Sequence, residues 1–91
     1  MIEIYLLEQL VAFETYRTLS VAAEYLHISP PALSHSMQKL EELMGVPLFH
    51  RQKNRLALNE NGRLTAEYAR KILEQERDMV ERVRLFDKSR R

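Results

Sequence analysis

The sequence predicts a mainly α fold: three helices, a short β-hairpin and then one long helix. Three observations carry this expectation. Ser29-Pro30-Pro31 stands directly ahead of an apolar helical pattern, two strand-like runs flank a polar tip, and an apolar stripe recurs from Thr65 to Phe86. Helical stripes repeat every three or four residues and strand runs are short and rich in β-formers, so the segments fall into separate classes.

From 2 to about 16, Leu6, Leu7, Leu10, Val11 and Phe13 recur close to a 3.6-residue period and predict an amphipathic first helix. Ser20 is a candidate N-cap for a short second helix, VAAEYL, whose Ala22 and Ala23 allow close approach to a neighbour. His27 and Ile28 make a very short connection, in which His27 serves packing or capping. Ser29 then caps the third helix and Pro30 occupies its first position, where a missing N–H is no loss and a fixed φ is already helical. Pro31 remains within the first turn. Leu33, Met37, Leu40 and Met44, at spacings of 4, 3 and 4, mark its buried face, and Gly45 with Pro47 ends it.

PLFHR and RLAL around Gln52-Lys53-Asn54 predict a hairpin, although its turn lacks glycine. Asn59 is the expected cap of the last helix, which runs from about 60 to 86 or beyond. Gly62 falls in its first turn, where glycine costs least. Thr65, Ala69, Ile72, Glu76, Met79, Val83 and Phe86 step alternately by 4 and 3, with Leu73 and Val80 widening the stripe. That spacing suits a helix packed along another helix. The stripe could pack on its own domain. A helix of about 27 residues nevertheless spans about 40 Å, longer than a small three-helix core, so the excess predicts a second copy of the chain as partner. Glu67 with Lys71, Asp78 with Arg82 and Arg77 with Glu81 are candidate i,i+4 ion pairs. The expected division is 1–58 for the hairpin-bearing domain, 59–88 for the dimerisation helix and 89–91 as a loose tail.

Composition narrows the function. Ninety-one residues suit one domain with a modest core, and the absence of cysteine excludes disulfides and thiolate metal sites. No apolar run is long enough to span a membrane, and the acidic start does not read as a secretory leader, so a cytoplasmic protein is expected. The net charge of +1 is uneven. Residues 1–28 carry one arginine against four acids, whereas residues 29–55 and 56–91 each carry an excess of two cations. This distribution permits nucleic-acid binding without requiring it.

Helix, short turn, capped helix and hairpin together make a winged helix-turn-helix arrangement. Advancing about 100° per residue places Pro31, Ser34, His35, Gln38 and Lys39 on the outward face of the third helix. Short hydroxyl, imidazole and amide groups can hydrogen-bond base edges in a major groove, and the helix N-terminus favours a phosphate. An ordinary solvated face is the competing reading, though such faces usually carry more Glu and Lys. Arg51, Lys53 and Arg55 around the hairpin tip could reach a minor groove or phosphates, or could simply keep a turn soluble. Arg51 could instead pair with Glu41 and hold the hairpin in place.

Enzyme chemistry finds no support. His27, His35 and His50 lack metal-ligand spacing, and Ser34 and His35, as helix neighbours, point in different directions. With Gly45 and Gly62 the only glycines, no phosphate loop exists. No metal and no cofactor are expected.

The residues Phe13, Leu19-Ser20-Val21-Ala22-Ala23, Leu26, Ser29 to Ser34, Leu40-Glu41, Gly45, Leu48-Phe49, Arg51, Leu58 and Gly62 resemble the N-terminal DNA-binding domain of LysR-type transcriptional regulators. The resemblance covers nearly the whole chain in order and spacing. It implies a linker helix that pairs in a homodimer, and a dyad-symmetric bacterial promoter site with T and A flanking the half-sites. It implies DNA contacts from Ser29, Pro30, Pro31, Ser34, His35, Gln38 and Lys39, and from Arg51, Lys53, Asn54 and Arg55 in the wing. Three positions depart from the family. Pro30 stands where Gln is common, Asn54 stands where a wing arginine is common, and Asn59 replaces a capping Thr. Family members continue into an effector-sensing domain, which is expected to be absent from this chain. The alternative function is a protein–protein module that joins full-length relatives through the last helix and has little DNA affinity of its own.

Overall fold

The computed structural model describes residues 1–90, with the element order α1 (Ile4–Tyr16), α2 (Leu19–Leu26), α3 (Pro30–Met44), β1 (Phe49–Gln52), β2 (Arg55–Leu58) and α4 (Glu60–Ser89). The expected architecture is present: four helices and an antiparallel hairpin in which Phe49 pairs with Leu58 and Gln52 with Arg55. The last expected tail residue, Arg91, lies outside the described residues. Ser89 belongs to the helix, and its hydroxyl donates to the Phe86 carbonyl at 2.8 Å. Among the described residues, no helix is long and apolar enough to cross a membrane.

One core joins all four helices and the start of the wing. Leu6, Leu10, Ala22, Ala23, Leu33, Met37, Leu40, Leu48 and Ala66 are each at most 1% exposed. The small side chains Ala22, Ala23, Ala66 and Ala69 sit in this cluster, where they let the helix backbones approach one another. Phe13 closes one side edge-on to Phe49, with centroids 5.3 Å apart and rings at 87°.

Several boundaries differ from expectation for local reasons. Helix α1 begins at Ile4, two residues later than expected, and its N-cap Glu3 makes no side-chain capping bond. Helix α2 is capped by Thr18, whose hydroxyl accepts from the Val21 N–H, so Ser20 lies inside the first turn instead of at the cap. His27 does occupy a capping position: left-handed at φ 60, it donates its N–H to the last carbonyls of α2. Of the three anticipated ion pairs on α4, only Glu67–Lys71 is within 4.0 Å among the described residues, at 3.6 Å. The other pairs are solvent-exposed, where little energy holds them together.

Gly62 corrects the sequence reading most clearly. Its role is not low cost at a helix start but close approach. A Cβ at Gly62 would lie 2.2 Å from the Leu48 carbonyl oxygen and 2.8 Å from a Leu58 methyl. Asn59 caps this turn by accepting from the Gly62 N–H at 2.8 Å, and its own N–H donates to the Leu48 carbonyl at 2.9 Å. Gly62→Ala should therefore force helix and wing apart and destabilise the fold by about 1–3 kcal/mol. Chemical denaturation of the variant beside wild type measures this directly.

Candidate nucleic-acid interface

Helix α3 starts as its sequence demands. Ser29 is extended, its hydroxyl accepts from the Ala32 N–H at 3.2 Å, and its carbonyl accepts from the Leu33 N–H at 3.1 Å. Pro30 and Pro31 have no N–H at all. From Pro30 to Leu33 the first turn of α3 thus offers no free backbone donor, so the expected preference of this N-terminus for a phosphate has few amides behind it. What it offers outward is apolar ring surface, with Pro30, Pro31 and Ala32 all exposed.

Beyond the prolines, His35, Gln38 and Lys39 are exposed and Ser34 is half-buried, while Leu33, Met37 and Leu40 face the core. No acidic residue occurs in 30–39. Lys39 stands at the edge of this face, where its ammonium donates to the Tyr5 hydroxyl at 3.5 Å and lies 3.6 Å from the Glu3 carboxylate. The Tyr5 hydrogen bond, reinforced by the electrostatics of Tyr5 and Glu3, raises the pKa of Lys39. Its charge persists throughout the neutral range, and any stability it lends is lost only as pH rises through that raised value.

The wing is tight. Gln52 and Arg55 close the ladder, and Lys53 (φ 53) and Asn54 (φ 63) form a two-residue turn with both residues left-handed. This geometry matches the right-handed twist of hairpin strands, and it does so here without glycine. Arg51, Lys53, Asn54 and Arg55 are all exposed. Arg51 does not pair with Glu41. Instead, the Glu41 carboxylate accepts from two wing amides, the Leu48 N–H at 2.8 Å and the Phe49 N–H at 3.2 Å. These amides otherwise lack acceptors at the entry to β1, so a carboxylate on α3 fixes where the wing leaves the core.

Two residues are brought to the wing that the sequence did not place there. Arg17, counted with the acidic front, ends α1 in the left-handed region at φ 69 and lines a cleft with the wing residues Arg51, Asn54 and Arg55. Glu41, expected as a partner of Arg51, acts through backbone amides instead. A single arginine in an acidic segment gives no signal of such a position.

The stripe on α4 divides in two. Thr65 and Leu73 are half-buried and Ala69 is 1% exposed against this chain's own core, so Ala69 is not available to a second copy. Glu14 on α1 and Arg70 on α4 form an ion pair along this contact. From Ile72 onward, Glu76, Met79, Val80, Val83 and Phe86 are exposed, and Met79, Val83 and Phe86 are each about 60% accessible. Among the described residues, no group of three or more His, Cys, Asp or Glu could hold a metal.

A short capped helix, a tight turn, a second helix whose first ten residues carry no acid and a hairpin anchored on it define the winged helix-turn-helix class. The chain belongs to the lysR family: residues 4–63 match the bacterial regulatory helix-turn-helix proteins of that family. Among curated relatives, the probable RuBisCO transcriptional regulator of Phaeodactylum tricornutum is 36% identical over 64 residues, covering 70% of this chain and 21% of that protein. The chain spans 18–26% of the length of such relatives. Among solved structures, the CbnR DBD–DNA complex superposes with a TM-score of 0.87 at 32% identity, over 92% of this chain and 97% of that one. The complex of BenM DBD with catB site 1 DNA gives 0.90 at 28% identity, over 99% and 97%.

Removal of the Glu41 carboxylate should loosen the wing without unfolding α3. Glu41→Ala leaves two part-buried amides without an acceptor, an expected loss of about 1–3 kcal/mol. Faster hydrogen exchange at Leu48 and Phe49, together with a lower denaturation midpoint, is the outcome to measure.

Proposed function

We propose that the chain binds double-stranded DNA sequence-specifically as a homodimer and thereby regulates bacterial transcription, acting in the cytoplasm without catalysis. The carrying observation is the outer face of α3, which presents exposed prolines, half-buried Ser34, exposed His35 and Gln38 and no acid in the first ten residues of the helix, together with an exposed cationic wing. Hydroxyl, imidazole and amide groups match the donor and acceptor pattern of the major groove, and proline rings match thymine methyls. The wing, with Lys53 and Arg55 flanking Asn54, suits phosphates or the adjacent minor groove. Family membership supports the same reading, as do structural neighbours solved as complexes with DNA.

Dimerisation follows from α4. Its distal half exposes Ile72, Met79, Val80, Val83 and Phe86 on a helix that has left the core. A second copy laid along this stripe removes the apolar surface from water and sets two α3 helices at a fixed separation for a dyad-symmetric site, near the roughly 34 Å of one DNA turn. The rival reading, a protein–protein module with little DNA affinity, shares this helix but leaves the composition of the α3 face unexplained.

On a duplex selected from a random pool by the purified chain, Ser34→Ala or His35→Ala should weaken specific binding by about 1–3 kcal/mol and relax base preference locally. Lys53→Ala with Arg55→Ala should instead weaken binding to all sequences alike, with a shallower salt dependence. Unchanged gel-shift binding in all three variants would sink the proposal. Placing a carboxylate in the exposed stripe, as in Val83→Glu, should shift the sedimenting species from dimer to monomer with little change in thermal stability.

A further inference from the structure

We infer that the cleft between the α1–α2 turn and the wing is a separate anchoring site for one DNA backbone phosphodiester, held by Arg17 together with Arg51 and Arg55. This rests on the proposal that the chain binds duplex DNA, and it assigns to Arg17 a role outside the α3 face. The cleft has a volume of about 250 Å³, bounded by Arg17, Thr18 and Ser20 on one side and by Arg51, Asn54 and Arg55 on the other. No carboxylate lines it. Among the described residues, none of the three arginines is paired with a carboxylate: the ion pairs within 4.0 Å are Lys39–Glu3, Arg70–Glu14 and Lys71–Glu67.

Two further observations converge on the same place. Arg17 adopts φ 69, a conformation that glycine takes freely and other residues seldom take. A long cationic side chain held there points to function more than to economy of folding. The start of α2 also borders this cleft. Thr18 satisfies the Val21 N–H, and its carbonyl accepts from Ala22, but the N–H groups of Leu19 and Ser20 have no partner among the described residues. They are the free donors that α3, with its two prolines, lacks. Guanidinium forks and free amides at a helix start are phosphate chemistry, not base-edge chemistry. A division of labour results, in which the α3 tip reads bases and the wing–α2 cleft grips the backbone.

Arg17→Gly separates binding from folding, because glycine suits the left-handed backbone and removes only the side chain. The full chain and the variant are titrated against a fluorescent duplex of mixed sequence over a salt series. The variant should keep or exceed the wild-type melting temperature and bind roughly three- to tenfold more weakly at low salt. Its slope of log affinity against log salt should fall by about 0.9, the value for one lost phosphate contact. The ratio of affinities for a selected and a mixed duplex should not move, and Arg17→Lys should restore most of the slope. An Arg17→Gly chain with wild-type affinity and slope overturns the site, as does a weakened variant whose sequence ratio changes while its slope does not. Inorganic phosphate, added at constant ionic strength, should leave wild-type binding unchanged. Competition beyond the ionic-strength effect would mark a free-phosphate site and overturn the assignment to DNA. A wild-type chain that binds neither duplex removes the DNA reading itself, and this site with it, and is distinguished by the behaviour of the wild type alone.

Discussion

Everything at the interface depends on how the chain is held around Leu48. Its side chain is fully buried, its N–H donates to Glu41 on α3, and its carbonyl accepts from the N–H of Asn59 at the cap of α4. The same carbonyl faces Gly62, where any Cβ would collide. One residue therefore fixes three elements: the helix that carries the proposed reading face, the strand that opens the wing, and the helix that leads away from the domain. The side chains of Asn59 and Asn61 both donate to the Pro47 carbonyl, which closes the junction from the solvent side. Buried amides must find acceptors, and here the acceptors come from neighbouring elements, so local satisfaction and tertiary placement are the same event.

The electrostatics follow from this frame. The front of the chain is acidic in sequence, yet part of that charge is matched at the surface, where Glu14 meets Arg70 and Glu3 meets Lys39. The cations around the wing have no such partners among the described residues. A net charge of +1 thus conceals an uneven surface in which unpaired positive charge collects at the wing and the α1–α2 turn. Exposed ion pairs contribute little to stability, so this segregation says more about where an anion is attracted than about what keeps the fold together.

Most of the fold was legible where a residue acts through its own backbone preferences. Ser29-Pro30-Pro31 and Gly45 delimit α3 because cap, ring and left-handed glycine are local effects, and Asn59 marks α4 for the same reason. Legibility failed where the cause lay elsewhere in the chain. Gly62 looks like a tolerated residue in a first turn until the Leu48 carbonyl stands against it. Thr18 and Ser20 are equally good caps by type, and only the left-handed turn at Arg17 decides between them. The turn Lys53-Asn54 carries no glycine, so its double left-handed geometry was hidden. The α4 stripe was read as one surface, although α1 covers its first turns and leaves the rest open.

Helix α4 is continuous over 30 residues, with its first turns locked into the core and the remainder standing clear of it. After Gly62 it contains neither glycine nor proline, the residues at which helices most often kink. It therefore behaves as a stiff lever with its fulcrum at the Leu48 junction. In a molecule 57 Å long and 26 by 19 Å across, a rotation imposed at the far end arrives at α3 and the wing with little lost to bending. In the proposed dimer the angle between two such levers would set the spacing of the two α3 helices, and a twist of a few degrees at the distal end would change which sites both could reach together.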